Sequence, residues 1–302
     1  MTGETGSTSN AAQALRWNGA SGQHWIEHRE RHLAEHQNLT PHLFRSAAIV
    51  PGERVVDIGC GCGDTTVRAA RAANASLENQ AAGRAPRREG PGQPGIAVGL
   101  DLSAPMLAVA RRLAARAHVT NARFVRGDAQ ACPLRHAAFD VMVSNFGVMF
   151  FDDSATAFTR LASVLRPHGR LAFLSWQDDA ENEVFTIPLR AFAAYVSPSG
   201  PSADRLFTDP RQINTLLSGT GWGDIQVTAV SEPARLGSDV DDVLRYTRSM
   251  PVMRNLMANL NDPVLSERAL AVVAEQYRAY QRPDGVWVRA AAWLVTARRR
   301  TR

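Results

Sequence analysis

The stretch VVDIGCGCGDTT, Val55–Thr66, concentrates groups that can do chemistry: glycines at 59, 61 and 63, Cys60 and Cys62 between them, and Asp57 and Asp64 on either side. Glycine in such a turn permits positive φ and lets backbone approach a ligand with no Cβ in the way. Three chemistries compete for it: a phosphate-cradling turn, a metal site on the cysteines, or a loop for another cofactor. The dinucleotide turn needs G-x-G-x-x-G. Counting from Gly59 and Gly61, its third glycine belongs at Asp64, whereas Gly63 makes the spacing G-x-G-x-G. Asp57 would also repel a pyrophosphate, and would suit an ammonium group. A structural zinc site asks for four ligands, commonly in paired C-x₂₋₄-C spacing. C-x-C with one distant Cys132 falls short, so both thiols are expected to pack as small apolar groups.

Asp101 supplies a second acid. It lies 42 residues beyond Gly59, and 20 once the 22-residue insertion Asn74–Gly95 is taken out. That is the usual distance to a carboxylate that accepts from ribose hydroxyls. A close-approach turn, an anion beside it and a ribose clamp match adenosine joined to an amino acid better than adenosine joined to phosphates.

A different constellation precedes the loop. In HWIEHRERHLAEH, His24, His28, His32 and His36 recur every four residues. Neighbours at i and i+4 can clamp a metal, but each step turns the stripe by roughly 40°. The four cannot converge on one ion, and no metal site is expected. Glu27, Arg31 and Glu35 run alongside as ordinary helical ion-pair partners.

The elements that must position these groups follow from the apolar pattern. Short, almost wholly apolar runs at 54–58, 96–100, 122–125, 141–144 and 170–176 alternate with helical segments. Buried runs of this kind indicate parallel strands, and their alternation with helices indicates a doubly wound α/β sheet. Ligands of such sheets sit at the carboxyl ends of the strands. Residues 1–15 read as a disordered leader, 16–50 as an N-terminal helical lid, and 51–176 as the core, interrupted by a flexible Gly, Pro and Arg-rich insertion at 74–95. Residues 177–302 read as a helical acceptor-binding region, with one strand candidate at 225–230 and a β-rich closing run from Gly285.

Composition narrows the class. The 302 residues carry 45% hydrophobic and 21% charged side chains, with a net charge of +5. The basic excess is dispersed apart from RAPRRE at 84–89 and the closing RRRTR, so a nucleic-acid stripe is not expected. No stretch approaches the roughly twenty apolar residues of a membrane span, and the first residues do not resemble a signal peptide. Three cysteines, an odd number, favour a reducing cytoplasm over a disulfide framework.

VVDIGCGCGDTT, VGLDLSAPMLAVAR, FVRGDAQACPL, FDVMVSNFGVMFF and LRPHGRLAFLSW together resemble, in order and context, the class I S-adenosylmethionine-dependent methyltransferases. They look most like the small-molecule branch related to ubiquinone/menaquinone-biosynthesis methyltransferases. The resemblance implies a Rossmann-like, seven-stranded, mostly parallel sheet with a helical acceptor-binding cap. It implies S-adenosyl-L-methionine as cofactor and a small-molecule acceptor, with carbon, nitrogen and oxygen acceptors all open. A homodimer is compatible with it; no membrane partner is expected.

Carried over by position, Asp57 would face the methionine ammonium, and Gly59 and Gly61 would border the amino-acid moiety and ribose. Asp101 would hold the ribose hydroxyls, with Leu102 and Met106 against the adenine. Asp128 and Ala129 would meet the adenine edge, and Asn145 and Phe146 would stand among cofactor and acceptor groups. WNGASGQHW is similar to the entrance of a subgroup, which adds Trp17 and Trp25 to the cofactor site. The leader helix often lies over the cofactor in similar enzymes, so His24 or His28 would be the general base. His42 is a further candidate, and His168 in LRPHGR reads as a turn residue. Phe185, Phe192, Tyr195, Tyr246 and Met250 are expected either to line an acceptor pocket or to form helical core.

Three rival readings remain: an RNA or DNA methyltransferase, an oxidoreductase, and a non-catalytic SAM-binding partner protein. SNFGVMFF lacks the N/D-P-P-Y/F signature of amino-methylating nucleic-acid enzymes, and the glycine spacing disfavours a nicotinamide cofactor.

Overall fold

The computed structural model describes residues 10–74, 95–131, 134–195 and 205–301. The five apolar runs form β1 (Arg54–Ile58), β2 (Ile96–Asp101), β3 (Ala122–Arg126), β4 (Phe139–Asn145) and β5 (Leu165–Trp176). These pair in parallel, and β6 (Trp222–Gly237) and β8 (Gly285–Arg299) complete the path β3-β2-β1-β4-β5-β8-β6. β8 is antiparallel to both neighbours, and the two-residue β7 (Gln281–Arg282) pairs with it off the path. The expected seven-stranded, mostly parallel sheet is present, with β7 as a short addition.

Alternation along the strands divides the core. Val55, Val141, Val143, Ala172 and Leu174 face α4 (Thr40–Ala47), α5 (Asp64–Asn74) and α8 (Glu183–Ala193). Val56, Ile58, Met142, Leu171 and Phe173 face the opposite layer, α7 (Ser154–Val164) and α9 (Pro210–Gly219). Successive side chains of a strand point to opposite faces, so each run serves both layers. The chain steps outward from β1 to β3 through α5 and α6 (Ala104–Arg116), then returns to place β4 on β1's other side. This reversal is a topological switch point, where a crevice opens at the carboxyl ends.

β6 runs well beyond the expected 225–230. Its outer half carries Pro233 and polar alternation, tolerated because β6 is the sheet's edge and Pro233 needs no second partner. Together β6 and β8 form a long ribbon that overhangs the carboxyl ends. α10 (Val240–Ser249), α11 (Pro251–Leu260) and α12 (Pro263–Arg278) bury Val243, Met253, Leu270 and Val273 in the cluster that also holds the ribbon's Leu236 and Val286. The closing arginines are tethered: Arg299 donates to Leu165 O, and Arg300 Nη1 to Ser218 O at 3.3 Å.

The N-terminal lid comprises α1 (Ala11–Asn18), α2 (Ala20–Glu27) and α3 (Arg29–His36) and continues through the next turn into α4. Residues 10–15 therefore correct the expected disordered leader. Asn10 is 2% exposed and donates to Asp128 Oδ1 at 3.0 Å, while the Trp17 ring packs on Trp25 and Phe150. Residues 1–9, most of the 74–95 insertion with its arginine cluster, and Cys132 lie outside the described residues. The lid is fastened to the ribbon side by polar links. Arg31 Nη2 meets Asp242 Oδ1 at 2.6 Å, Asn38 Nδ2 donates to Pro233 O at 2.7 Å, and His42 Nε2 meets Glu232 Oε1 at 2.6 Å.

Trp222 tests how far the α7 and α9 layer depends on one anchor. It is fully buried, and its Nε1–H donates to Phe158 O at 3.2 Å. Trp222→Ala is expected to cost about 3–5 kcal/mol in urea unfolding. Trp222→Phe is expected to cost roughly 1–3 kcal/mol, chiefly because the Phe158 carbonyl loses its partner.

Candidate functional site

The site begins where β1 ends. The chain turns through Gly59, Gly61 and Gly63 with φ of 65°, 52° and 87° before entering α5. A Cβ on Gly59 would stand 2.7 Å from Gly147 Cα, and one on Gly147 would stand 2.6 Å from Ile58 O. Two glycines thus let the loop after β4 touch the loop after β1. The Gly59 and Cys60 N–H groups donate to Leu100 O at 2.9 and 3.2 Å.

The Asp101 carboxylate ties this loop to the next turn, accepting from Gly61 N and Ser103 N at 2.8 Å each. Burial pushes its carboxyl above the ordinary range, against these backbone donors. Asp57 lies beneath the loop, 1% exposed. Its Oδ2 accepts from Thr66 Oγ1 at 2.6 Å, while Oδ1 is buried with no partner among the described residues. Burial, reinforced by the nearby Asp101 and Asp64, pushes Asp57 up to about 7.

Above the loop a cavity of about 1170 Å³, counting its open mouth, separates the sheet ends from the lid. Gly59, Gly61, Asp101, Leu102, Met106, Ala129, Asn145, Phe146, Trp17 and Trp25 all line it. Its walls are largely aromatic. The Trp25 and His32 rings stack with centroids 3.8 Å apart, Phe146 and Trp176 stack at 4.2 Å, and His36 lies 4.6 Å from Phe146. Phe146 holds φ at 63°, a left-handed conformation that a bulky residue adopts at a cost. Arg29 is paired with Asp64 from the lid to the loop, its Nε donating to Oδ2 at 2.8 Å.

Four residues expected at the site stand outside the cavity lining. Asp57 sits one layer below it. Asp128 also stays out of the lining, because its Oδ1 accepts from Asn10 Nδ2 and from Gln130 N at 2.9 Å. His24 and His28 do not line the cavity; they pack on Tyr246 of α10, with centroids 5.7 and 5.0 Å away. Burial and the neighbouring His28, His32 and Arg254 push His24 down to about 4. The lining histidines are His32 and His36, further along the ladder. His42 is occupied by Glu232 in the lid fastening, and His168 lies within β5, at φ 60° in the irregular stretch between the Phe139–Leu165 and Val141–Arg170 pairs, rather than in a separate turn.

The side chains expected either in an acceptor pocket or in helical core divide between several places, with Met250 partly buried against the core. Phe192 and Tyr246 are core, Tyr195 is exposed, and Phe185 packs edge-on against Trp176 at 5.5 Å behind the wall. Arg29, Asp64, Met149, Phe150 and Trp176 line the cavity without having been singled out from sequence. Trp176 had a signal, closing a quoted motif at the end of its apolar run, and Phe150 is the last residue but one of another. Arg29 and Asp64 had none, being 35 residues apart. Cys60 and Cys62 are buried free thiols, and burial pushes Cys62 up to about 12. Among the described residues no three His, Cys, Asp or Glu side chains form a metal-binding group.

Comparison with known proteins places this geometry. The profile of the ubiE/COQ5 methyltransferase family matches residues 32–212. A demethylmenaquinone methyltransferase of Lactiplantibacillus plantarum is 30% identical over 143 residues, covering 47% of this chain and 53% of that protein. A malonyl-[acyl-carrier protein] O-methyltransferase of Enterobacter lignolyticus is 35% identical over 134 residues, covering 44% and 48%. The chain thus spans about half the length of these relatives. The crystal structure of the YcgJ protein from Bacillus subtilis superposes with a TM-score of 0.52 at 17% identity, covering 87% of this chain and all of that one, a likeness of fold.

The buried Asp57 carboxyl makes stability depend on pH. A folded value of about 7 against an ordinary 3.8 favours the protonated form in the fold. Its contribution is therefore full below about 4 and is lost as pH rises through about 7, at most on the order of 4 kcal/mol. Asp57→Asn is expected to flatten the fall in the unliganded protein's stability over that window. Urea unfolding of both proteins at several pH values checks this, and parallel pH curves would contradict it.

Proposed function

The chain belongs to the ubiE/COQ5 methyltransferase family, and from that premise we propose that it transfers a methyl group from S-adenosylmethionine to a small-molecule acceptor. The observation that carries this reading is the buried, unpartnered Oδ1 of Asp57 behind a glycine loop whose next turn presents Asp101. An acid with one oxygen unpartnered and a raised pKa fits a ligand that brings an ammonium group, because that charge would restore the ionised form. Asp101 has lone pairs left beyond its two backbone donors, which fits ribose hydroxyls. Leu102, Met106 and Ala129 offer apolar surface for an adenine, and Trp17 and Trp25 close the cavity from the lid.

When bound there, S-adenosylmethionine supplies an activated methyl group on a sulfonium cation. The chain's own part is alignment and the exclusion of water, which together can supply much of the rate of an in-line displacement. Asn145, Phe146 and Trp176 continue the wall beyond the glycine loop and would orient the acceptor. Their aromatic faces support an acceptor with a flat apolar body. Among the described residues no helix is long and apolar enough to cross a membrane. The unbridged thiols of Cys60 and Cys62 support a reducing, cytoplasmic setting.

Calorimetry with S-adenosylmethionine, backed by native mass spectrometry, tests the reading. The full chain is expected to bind one equivalent at pH 8. Asp101→Ala should weaken binding about 100-fold, the loss of two hydrogen bonds to a charged group. Affinity should fall by about tenfold per pH unit below about 7, as Asp57 takes up a proton that the ammonium must displace. Absence of any mass increment under saturating S-adenosylmethionine would overturn the proposal.

A further inference from the structure

The helices that back the ribbon leave an apolar face to solvent. Among the described residues seven large apolar side chains are exposed. Three of them, Val252, Val264 and Val272, stand on α11 and α12, at 54%, 62% and 42%. Single exposed valines need no explanation, but these three share one pair of neighbouring helices. α12 turns its inner side, Ala269, Leu270, Val273 and Tyr277, into the core. Its outer side carries Val264, Arg268, Ala271 and Glu275, all exposed. At 3.6 residues per turn these four fall within about 60° of arc, a straight stripe along the helix. Val264, Arg268 and Ala271 border a shallow open groove on that side.

The charges of this face are unequally satisfied. Glu267 Oε2 accepts from Arg248 Nη2 of α10 at 2.7 Å, and Glu275 accepts from Arg278 one turn on. Arg268 has no partner among the described residues. An exposed guanidinium beside apolar surface is stable in water, but it needs a carboxylate once that surface is covered. The Glu275 carboxylate has lone pairs beyond the one that Arg278 uses. Seven residues, about 10 Å of helix, separate it from its own chain's Arg268, and the two do not pair.

A two-fold axis between Ala271 and Val272 would bring the two groups together. It sets Arg268 opposite the partner subunit's Glu275, and Glu275 opposite the partner subunit's Arg268. The same operation sets Val264 opposite the partner's Ala279 and Glu267 opposite the partner's Gln276, so no like charges face each other. Ala271 at the centre is small enough for close helix approach. A parallel pair would instead oppose Arg268 to the partner's Arg268, and an acidic partner would meet Glu267 and Glu275 as well. We propose that the outer face of α12 is a homodimer interface, on which a second copy of this chain packs antiparallel and closes two Arg268–Glu275 pairs. The pattern is self-complementary, as an isologous contact requires. No residue of α12 lines the cavity, so association leaves the site of each chain intact.

Sedimentation equilibrium of the full chain over about 1–300 µM tests this, a range suited to one helix pair at the small end of specific interfaces. The wild-type chain is expected to form a concentration-dependent dimer. Arg268→Glu and Glu275→Arg should each weaken association at least about tenfold, because each turns both ion pairs into like-charge contacts. The Arg268→Glu/Glu275→Arg double variant should return to within about threefold of wild type. Ala271→Cys should give a disulfide-linked dimer under mild oxidation, since its two copies meet at the axis. Val264→Cys should not, because its copies lie about 22 Å apart along the helix pair, beyond the roughly 7 Å that a disulfide spans. A wild-type chain that stays monomeric, a dimer indifferent to either charge reversal, a double variant no better than the single ones, or equal cross-linking by the two cysteine variants would each overturn the proposal.

Discussion

Everything at the carboxyl end of this sheet depends on the contact between Gly59 and Gly147. With any side chain at either position, the loops after β1 and β4 could not approach as they do. Their approach keeps the glycine loop low, which leaves Asp57 beneath it and lets the Asp101 carboxylate reach the Gly61 N–H. The backbone itself becomes the cavity floor. Among the described residues a side-chain oxygen of Asp57 and one of Asn145 are left unpartnered there, so the most expensive group to bury, the Asp57 carboxyl, sits where a ligand can compensate it.

The roof is held by a different kind of interaction. The lid does not join the sheet's hydrogen-bond ladder. It is fastened by Arg31, Asn38 and His42 to the β6 overhang and the start of α10, some 200 residues later in the chain. Exposed or half-exposed polar links of this sort contribute little each. They fix the azimuth of α3 more than its stability, and that azimuth decides which histidines meet the cavity. The Arg29–Asp64 pair adds a direct tie between roof and floor at the mouth.

These two origins explain what could be read from sequence. The floor is encoded within short windows: an apolar run, a glycine turn, an acid at the end of the next run. Gly59, Gly61, Asp101, Leu102, Met106, Asn145 and Phe146 were all legible for that reason. The roof is not local. A four-residue histidine repeat establishes a stripe but carries no phase, so His24 and His28 looked as able to reach the site as His32 and His36. The phase is set by contacts with β6, whose outer half was itself hidden by Pro233 and the polar alternation of an edge strand. Asn10 escaped in the same way, because the order of α1 comes from Asp128 and Phe150 rather than from its own sequence.

The same division separates charge across the cavity. The floor carries Asp57, Asp101 and Asp64, while the opposite wall is made of Trp25, Phe146, Trp176 and the neutral His36. Arg29, a cation of the lining, is tied to Asp64 at the mouth. A ligand with a cationic end is therefore drawn to the floor and faces weakly polar surroundings on its other side. In a methyl transfer from a sulfonium to an anionic nucleophile, opposite charges disappear as the reaction proceeds. Surroundings of low polarity favour such a step because little solvation is lost along it. The wall needs no further charge for the transfer, provided that an anion can be generated in place from a neutral acceptor.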